Sequence, residues 1–191
     1  NWPGQFERVQ HLEQEFRKLQ TKIPELLEPS VINSDVANYV PHWISVGNHY
    51  FATQLYEAVQ RTPKGTALLH VQGDVSYDHW EPLVERMLEA ADKHRWGIVA
   101  PNVTKIYWDH LGNMQDLDGG FTEVLHTDCT VWAIHPSVLE QMRKQLYCVW
   151  KNSTGWGIDI VMRAVCRLQK RLVIRDYSHT VQHHGGTDYC I

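Results

Sequence analysis

Helical and extended patterns alternate along the chain, and this alternation limits the possible folds more than any other sequence feature. The apolar run 66–71 (TALLHV) is the most compact in the sequence and predicts a buried central strand. Apolar residues recur at helical spacing in the segments 5–20, 49–61, 80–93 and 158–169. The pattern predicts an α/β protein in which helices cover a sheet.

Prolines and glycines predict where the other elements end. A strand at 97–100 is expected to stop at Pro101. The segment 109–120 contains the sequences LGN and DLDGG and is expected to be a loop. Further strands are predicted at 30–33, 105–108, 130–134, 172–174 and 180–182.

Length and charge exclude several classes of protein. The 191 residues carry a formal net charge of −4 with scattered Lys and Arg, whereas a nucleic-acid surface needs clustered cations. No apolar run approaches the ~18 residues that a membrane-spanning helix needs. The four cysteines form no CxxC pair and are widely spaced. This spacing predicts free thiols in a reducing compartment, and we therefore expect a cytoplasmic protein.

A glycine and a carboxylate follow directly on the run 66–71, in the order Gln72-Gly73-Asp74. Ligands of open α/β sheets bind beyond the carboxyl ends of the strands. A carboxylate at that position can hold a divalent ion, and the ion can hold a diphosphate. Position alone favours equally a second interpretation, in which Asp74 caps the turn or helix that follows.

The sequence GWGID at 155–159 leads into a predicted helix. Its two glycines permit an unusual backbone path, and Trp156 offers an aromatic face suited to the apolar face of a sugar. Asp159 falls in the first turn of the helix, where a carboxylate also stabilises the helix dipole. On position alone, this capping role is the better supported of the two.

Two adjacent histidines, His183 and His184, follow the last predicted strand. Histidine is a common ligand of transition metals. Because neighbouring strand residues point to opposite faces, we do not expect both rings to serve one ion. The alternative is an ordinary polar turn, since a chain with twelve histidines contains adjacent pairs by chance.

Two further polar groups lie at strand ends. Asn33-Ser34-Asp35 follows an early strand and is suited to hydrogen bonds with a base or ribose, although an Asx turn explains it as well. Thr127-Asp128 precedes the strand at 130–134, where hydrogen bonding at the edge of the core is favoured over chemistry.

The order of these motifs resembles that of the inverting GT-A glycosyltransferases, in particular the large family two. In both, strands end in Asn-Ser-Asp and in a short acidic motif, a Gly-Trp-Gly-x-Asp helix start follows, and a Val-x-His strand closes the set. The resemblance spans nearly the whole chain and rests on motif order, not on close identity. It implies a single domain that is a three-layer α/β/α sandwich with a mixed sheet of GT-A type.

The resemblance implies a nucleotide-diphosphate sugar as donor. Asp74 matches the last acidic position of the DxD motif, which commonly contacts the metal, while Gln72 stands where the family has the first acid. His183 matches the late histidine that completes the metal site, with His184 left open. The implied ion is Mn²⁺ or Mg²⁺. Asp35 matches the aspartate that tends to recognise the base, which favours a UDP-sugar.

The resemblance also implies the roles of the helix start. Asp159 matches the catalytic carboxylate, although Ile158 replaces the acid that often precedes it. It would act as general base toward an acceptor hydroxyl, from a carbohydrate or another molecule, with Trp156 packed against a sugar. Gln72 and Ile158 stand where the family often has acids. These replacements favour, as an alternative, a non-catalytic nucleotide-sugar-binding module on the same fold. A metal-dependent phosphoesterase fits less well, because such sites need more carboxylates.

A strand of that fold precedes the segment with which this sequence opens, and it lies inside the sheet beside the strand at 30–33. Its omission would leave backbone groups unpaired. We therefore expect the natural protein to supply this strand from an upstream segment or from another copy in a homo-oligomer.

Overall fold

The computed structural model describes residues 1–47, 50–104, 112–145 and 157–184, which contain five helices and nine strands. The helices are α1 (Phe6–Gln20), α2 (Phe51–Arg61), α3 (Trp80–Lys93), α4 (Pro136–Gln145) and α5 (Ile158–Leu168). The strands are β1 (Ile32–Asn33), β2 (Ile44–Ser45), β3 (Leu68–Val71), β4 (Val75–Ser76), β5 (Trp96–Val103), β6 (Asn113–Leu117), β7 (Phe121–Val124), β8 (Val131–Ile134) and β9 (Leu172–His183).

Seven of these strands form one mixed sheet. Its path runs β3-β8-β5-β9-β7-β6, and β4 pairs with the end of β9. Strands β5 and β9 are parallel, whereas β8 is antiparallel to both β3 and β5. Strands β3, β5 and β9 therefore run in the same direction, and their carboxyl ends lie at one edge of the sheet. Strands β1 and β2 form a separate parallel pair.

Apolar side chains divide between the two faces of the sheet. In β5, Ile98 and Ala100 pack with helices α2, α4 and α5, whereas Val99 packs with α1 and α3. In β8, Trp132 and Val131 divide in the same way, as the two-residue period of a strand requires. Helices thus cover both faces, and the α/β class expected from the sequence is confirmed. No helix in the described ranges combines the length and the apolar character needed to cross a bilayer.

The apolar run 66–71 forms β3, but β3 lies at the edge of the sheet. Among the described strands it pairs only with β8, and all four of its residues are half-buried. The expected central position is therefore wrong for the described sheet. An apolar run reports that both faces of a strand are covered, and it does not report whether both edges are paired.

Strand β5 does not end at Pro101 but continues to Val103. Its pairing with β8 ends at Val99, and its register with β9 shifts directly after Pro101. A proline is tolerated at such an irregularity because the ladder is already interrupted there. The two strands predicted at 172–174 and 180–182 are one continuous strand, β9.

The segment 109–120, expected to be a loop, contains β6. This strand forms a hairpin with β7 through a turn in which Gly119 and Gly120 have φ of 84° and 77°. Four of the five residues of β6 are exposed, so no apolar alternation marks it as a strand. The strand predicted at 105–108 lies outside the described residues.

A groove of about 340 Å³ runs between β1 and the edge of β3 that does not pair with β8. Asn1 lies at this groove: its nitrogen donates to the Ile32 carbonyl at 2.6 Å, and its carbonyl accepts from Ser34 N at 2.9 Å. These two bonds are the pattern of a parallel bridge opposite Asn33. The additional strand expected beside the strand at 30–33 stays a prediction.

Candidate active site

Asp74 and His183 meet at the carboxyl edge of the sheet although 109 residues separate them. Asp74 lies between β3 and β4, and β4 pairs antiparallel with the end of β9, so that Val75 stands opposite His183. This pairing brings His183 Nε2 to 2.9 Å from Asp74 Oδ2. The strand that follows Asp74 therefore fixes the contact. Of the alternative role for Asp74, a cap of the turn or helix that follows, the helix does not apply because strand β4 follows. Capping of the turn at Gly73–Asp74 stays a prediction.

The carboxylate of Asp74 is only partly satisfied. Its side chain is 6% exposed, and Oδ1 is buried without a hydrogen-bond partner among the described residues. A buried acceptor in this state costs about 1–3 kcal/mol, which a bound cation would offset. His184, the other candidate ligand, turns its ring to the Ser76 hydroxyl at 2.6 Å. Of the two histidines, His183 is therefore the one placed to share an ion with Asp74.

The Asp74–His183 pair fits a divalent ion held by few protein ligands. Adjacent ligands of an octahedral ion with bonds of about 2.1 Å lie about 3 Å apart, close to the observed contact. The described part of the chain has no group of three or more His, Cys, Asp or Glu side chains suited to a metal. Oxygens from outside the protein would then fill the other positions. The imidazole favours Mn²⁺ over Mg²⁺, which prefers oxygen ligands.

Gln72 connects β3 to the loop 125–130, which joins β7 to β8. Its backbone nitrogen donates to the Thr130 carbonyl at 2.8 Å. Its side-chain Nε2 donates to the Cys129 carbonyl at 3.3 Å and to Cys129 Sγ at 3.4 Å. Gln72 stands where the DxD motif has its first acid, and its side-chain amide is therefore used in a contact with Cys129 of the protein itself.

Cys129 is a neutral thiol in this setting. Burial raises the pKa of Cys129 well above its usual value, and the carboxylates of Asp128 and Asp159 raise it further. A cysteine nucleophile needs a lowered pKa, so the thiol is not suited to covalent catalysis.

Asp159 stands in the first turn of α5, which begins after Gly157 in the left-handed conformation with φ of 83°. Its Oδ2 lies 3.1 Å from His126 Nε2. The Asp159 side chain is 24% exposed and that of His126 is 19% exposed, so solvent reaches both. An ionised carboxylate with this exposure can accept a proton from a bound hydroxyl.

His126 belongs to the site but is missed by the sequence motifs, which mark the next two residues, Thr127 and Asp128. Asp128 Oδ1 accepts from Thr130 N at 2.9 Å, the edge-of-core hydrogen bond that the sequence favoured. The backbone of His126 is held by Arg175, whose Nη2 donates to its carbonyl at 3.1 Å. The only sequence signal for His126 is its position next to Thr127-Asp128, the motif that the sequence analysis identifies in the same loop.

Asp35 lies in the Asx turn that the sequence offered as its alternative role. Its Oδ1 accepts from Ala37 N at 3.0 Å, and its Oδ2 accepts from Asn38 Nδ2 at 2.7 Å. Asn33 Oδ1 in turn accepts from the Asp35 nitrogen at 3.0 Å. Both oxygens of this buried carboxylate therefore support the loop, and base recognition by Asp35 stays a prediction.

The structure thus brings only some of the predicted site residues into contact. Asp74 and His183 touch directly. The charge of Asp159 helps to raise the pKa of the Cys129 thiol, and Cys129 Sγ accepts a hydrogen bond from Gln72, two residues before Asp74. Trp156, predicted to contact a sugar, lies outside the described residues.

Comparison with known proteins leaves the site to be judged on its geometry: no family model matches the chain, and neither the curated proteins nor the solved structures contain a match.

Proposed function

We propose that the chain is a metal-dependent glycosyltransferase of GT-A type that transfers a sugar from a nucleotide-diphosphate donor with inversion. The observation that carries the proposal is the pair Asp74–His183 on the same sheet edge as Gln72, in which one buried carboxylate oxygen has no partner among the described residues. Asp159 adds a solvent-accessible carboxylate whose charge raises the pKa of the Cys129 thiol, and that thiol accepts a hydrogen bond from Gln72. The Asp74–His183 pair suits a cation, and Asp159 suits a proton transfer.

In this proposal the two groups divide the reaction. Asp74 and His183 would hold Mn²⁺ or Mg²⁺, which when bound offsets negative charge on the departing nucleoside diphosphate. Asp159 takes the proton of the acceptor hydroxyl as its oxygen bonds to the anomeric carbon. The bond from that carbon to the phosphate oxygen breaks, and its electron pair leaves with the diphosphate. Attack from the opposite side inverts the configuration.

The donor and location come from the sequence and its resemblance. Base recognition at Asp35 favours a UDP-sugar, and Trp156 would pack against a sugar. A cytoplasmic location follows from the widely spaced cysteines, of which Cys129 and Cys166 are free thiols. A two-metal phosphoesterase is the weaker choice, because no cluster of three or more metal-binding side chains occurs within residues 1–47, 50–104, 112–145 and 157–184.

The test is a panel of UDP-, GDP- and dTDP-sugars with and without Mn²⁺. Binding is followed by thermal shift, and turnover by release of the nucleoside diphosphate. A donor at 100 times its dissociation constant stabilises the protein by ~2.7 kcal/mol, and we expect this stabilisation to need the metal. We also expect slow release of the diphosphate to water, which replaces an acceptor.

The competing functions give different results in the same assay. Metal-dependent stabilisation by a sugar nucleotide without any diphosphate release would identify a binding module and remove the enzymatic proposal. Phosphate release from simple phosphate esters, with no response to sugar nucleotides, would indicate a phosphoesterase.

A further inference from the structure

Helix α5 carries an apolar stripe on the face that points to solvent. Its opposite face is buried, with Met162 and Cys166 packed in the core. On the outer face Ile160 is 59% exposed and Leu168 is 80% exposed, and Ala164 between them is exposed as well. Residues four apart lie on the same side of a helix, so these three side chains form one continuous stripe.

A row of cations runs beside this stripe. Arg163 and Arg167 each precede a residue of the stripe by one position, which places them about 100° around the helix from Ala164 and Leu168. The two arginines are themselves four residues apart and share one side of α5. The helix contains a single acid, Asp159, which belongs to the candidate site at its first turn.

The cations continue past the end of the helix. Lys170 is exposed, and Arg171 follows it. Arg95 reaches the same place from the start of β5, because its Nη2 donates to the Gln169 carbonyl at 3.2 Å. Burial lowers the pKa of Arg171, and the charge of Arg95 lowers it further, so the two guanidinium groups repel each other. Five cations thus gather here in a chain whose net charge is −4.

These five cations form no ion pair with an acid of the described residues. On α1 and α3, by contrast, Lys18 and Lys93 each pair with a glutamate three or four residues away. A cation near the end of a helix also stabilises the helix dipole, which accounts for Arg167. It does not account for the exposed leucine at the next position, so the combined pattern needs a partner that takes both apolar and cationic groups.

We propose that the outer face of α5 docks on an anionic lipid bilayer, with Ile160 and Leu168 entering the headgroup region and the five cations contacting lipid phosphates. This inference goes beyond the proposed transferase and does not depend on it. Apolar burial and attraction to anionic lipids act together at such a surface. A nucleic acid would use the cations but leave both apolar side chains in water. A second copy on the same face would set cations against cations.

The test is co-sedimentation of the whole chain with vesicles of phosphatidylcholine, alone or mixed with phosphatidylserine. We expect binding to the mixed vesicles that weakens as salt is added. Each cation near the surface is worth about 5-fold, so Arg163→Gln/Arg167→Gln/Lys170→Gln should weaken the partition about 100-fold. Leu168→Ser should weaken it about 10-fold, because an apolar side chain no longer leaves water.

Matched controls remove the same groups elsewhere. Lys18→Gln/Lys22→Gln/Lys64→Gln takes away an equal charge at three exposed positions, and Leu27→Ser replaces a leucine that is 58% exposed. We expect both to bind the mixed vesicles like wild type. Thermal midpoints without vesicles check that every variant folds, and Ile160→Ser replaces Leu168→Ser if the latter does not.

Four results would overturn the proposal. One is the absence of binding to mixed vesicles at low salt, and another is binding that does not respond to phosphatidylserine. Equal losses in the two triple variants would mean that only net charge matters. Binding of heparin or single-stranded RNA as tightly as vesicles, with Leu168→Ser unchanged, would identify a site for polyanions. Self-association without vesicles that Leu168→Ser abolishes would identify a second copy as the occupant.

Discussion

Two aspartate–histidine pairs in the described part of the chain have nearly equal lengths but very different surroundings. Asp74 and His183 are 2.9 Å apart, and Asp159 and His126 are 3.1 Å apart. The Asp74 side chain is 6% exposed, whereas that of Asp159 is 24% exposed. The first pair leaves a buried oxygen without a partner among the described residues, and the second is open to solvent.

This difference teaches that contact distance does not define the role of an acid–histidine pair. A buried oxygen without a donor is destabilising unless a cation is bound, so the Asp74 pair is suited to a metal. A carboxylate that solvent reaches can exchange protons with a bound hydroxyl. The following experiments test whether the two pairs divide the work in this way.

The largest effect is expected for Asp159→Asn. The amide cannot accept the acceptor proton, and general-base catalysis is worth about 10²–10⁴-fold, so turnover should fall by that factor. Donor binding should be unchanged, because the variant leaves Asp74 and His183 intact. Steady-state kinetics with a thermal-shift titration measure both. A parallel loss of donor binding would show that the two pairs do not act separately.

The second prediction separates the adjacent histidines. His183→Ala removes a proposed ligand, and we expect it to abolish the Mn²⁺-dependent part of the donor's stabilisation, up to ~2.7 kcal/mol at 100 times the dissociation constant. His184→Ala is the matched control, since its ring contacts the Ser76 hydroxyl. Calorimetry with and without Mn²⁺ measures the effect. The same loss in both variants would break the assignment of the buried pair to the metal.

The third prediction concerns the glycines that flank the two acids. A Cβ added at Gly73 would lie 2.6 Å from Val9 Cγ2, so Gly73→Ala should destabilise the fold by about 1–3 kcal/mol through overpacking. Val9→Ala in the same chain should relieve part of this cost. No described residue lies within 4 Å of a Cβ added at Gly157, but its φ is +83°, so Gly157→Ala should cost about 1–2 kcal/mol, which Val9→Ala does not relieve. Denaturant unfolding checks the coupling.

The buried pair was more predictable from the sequence than the exposed one. A strand followed at once by a glycine and an acid locates Asp74 at a sheet edge, and the two-residue strand period shows that only one of His183 and His184 can face it. Which histidine does so depends on the pairing of β4 with β9, a long-range register that no local pattern encodes. Likewise, His126 reaches Asp159 only through the path of a loop between two strands.

The errors in the fold have similar causes. Helices were predicted within a few residues because their apolar faces repeat locally, as in Trp80–Lys93. No sequence pattern predicts strand β6, because its exposed residues show no alternation of apolar and polar side chains. The composition of β3 indicates that both of its faces are covered, but it does not indicate whether both of its edges are paired, so the predicted central position is wrong. The local sequence predicts a strand end at Pro101, because the register shift that accommodates the proline is a property of the sheet.

The smallest effect is expected at a third acid–histidine contact, which lies on α1. Burial tends to raise the pKa of Glu13, but hydrogen bonds from Trp43, Arg17 and His42 outweigh it and lower the pKa below its ordinary value of 4.5. Because its folded-state pKa is depressed, this carboxylate stabilises the fold above pH 4.5, and the contribution is lost as pH falls through the folded value.

Glu13→Gln should therefore cost about 1 kcal/mol near pH 7 and progressively less in acid, as measured by denaturant unfolding across pH. Turnover should not change, because Trp43 Nε1 donates to Oε2 at 2.7 Å and His42 and Arg17 bond to Oε1, so both oxygens of this acid are used by the protein. A loss of turnover in Glu13→Gln would mean that an acid needs neither an unpartnered oxygen nor solvent access to take part in the reaction. The distinction between the two aspartate pairs would then lose its basis.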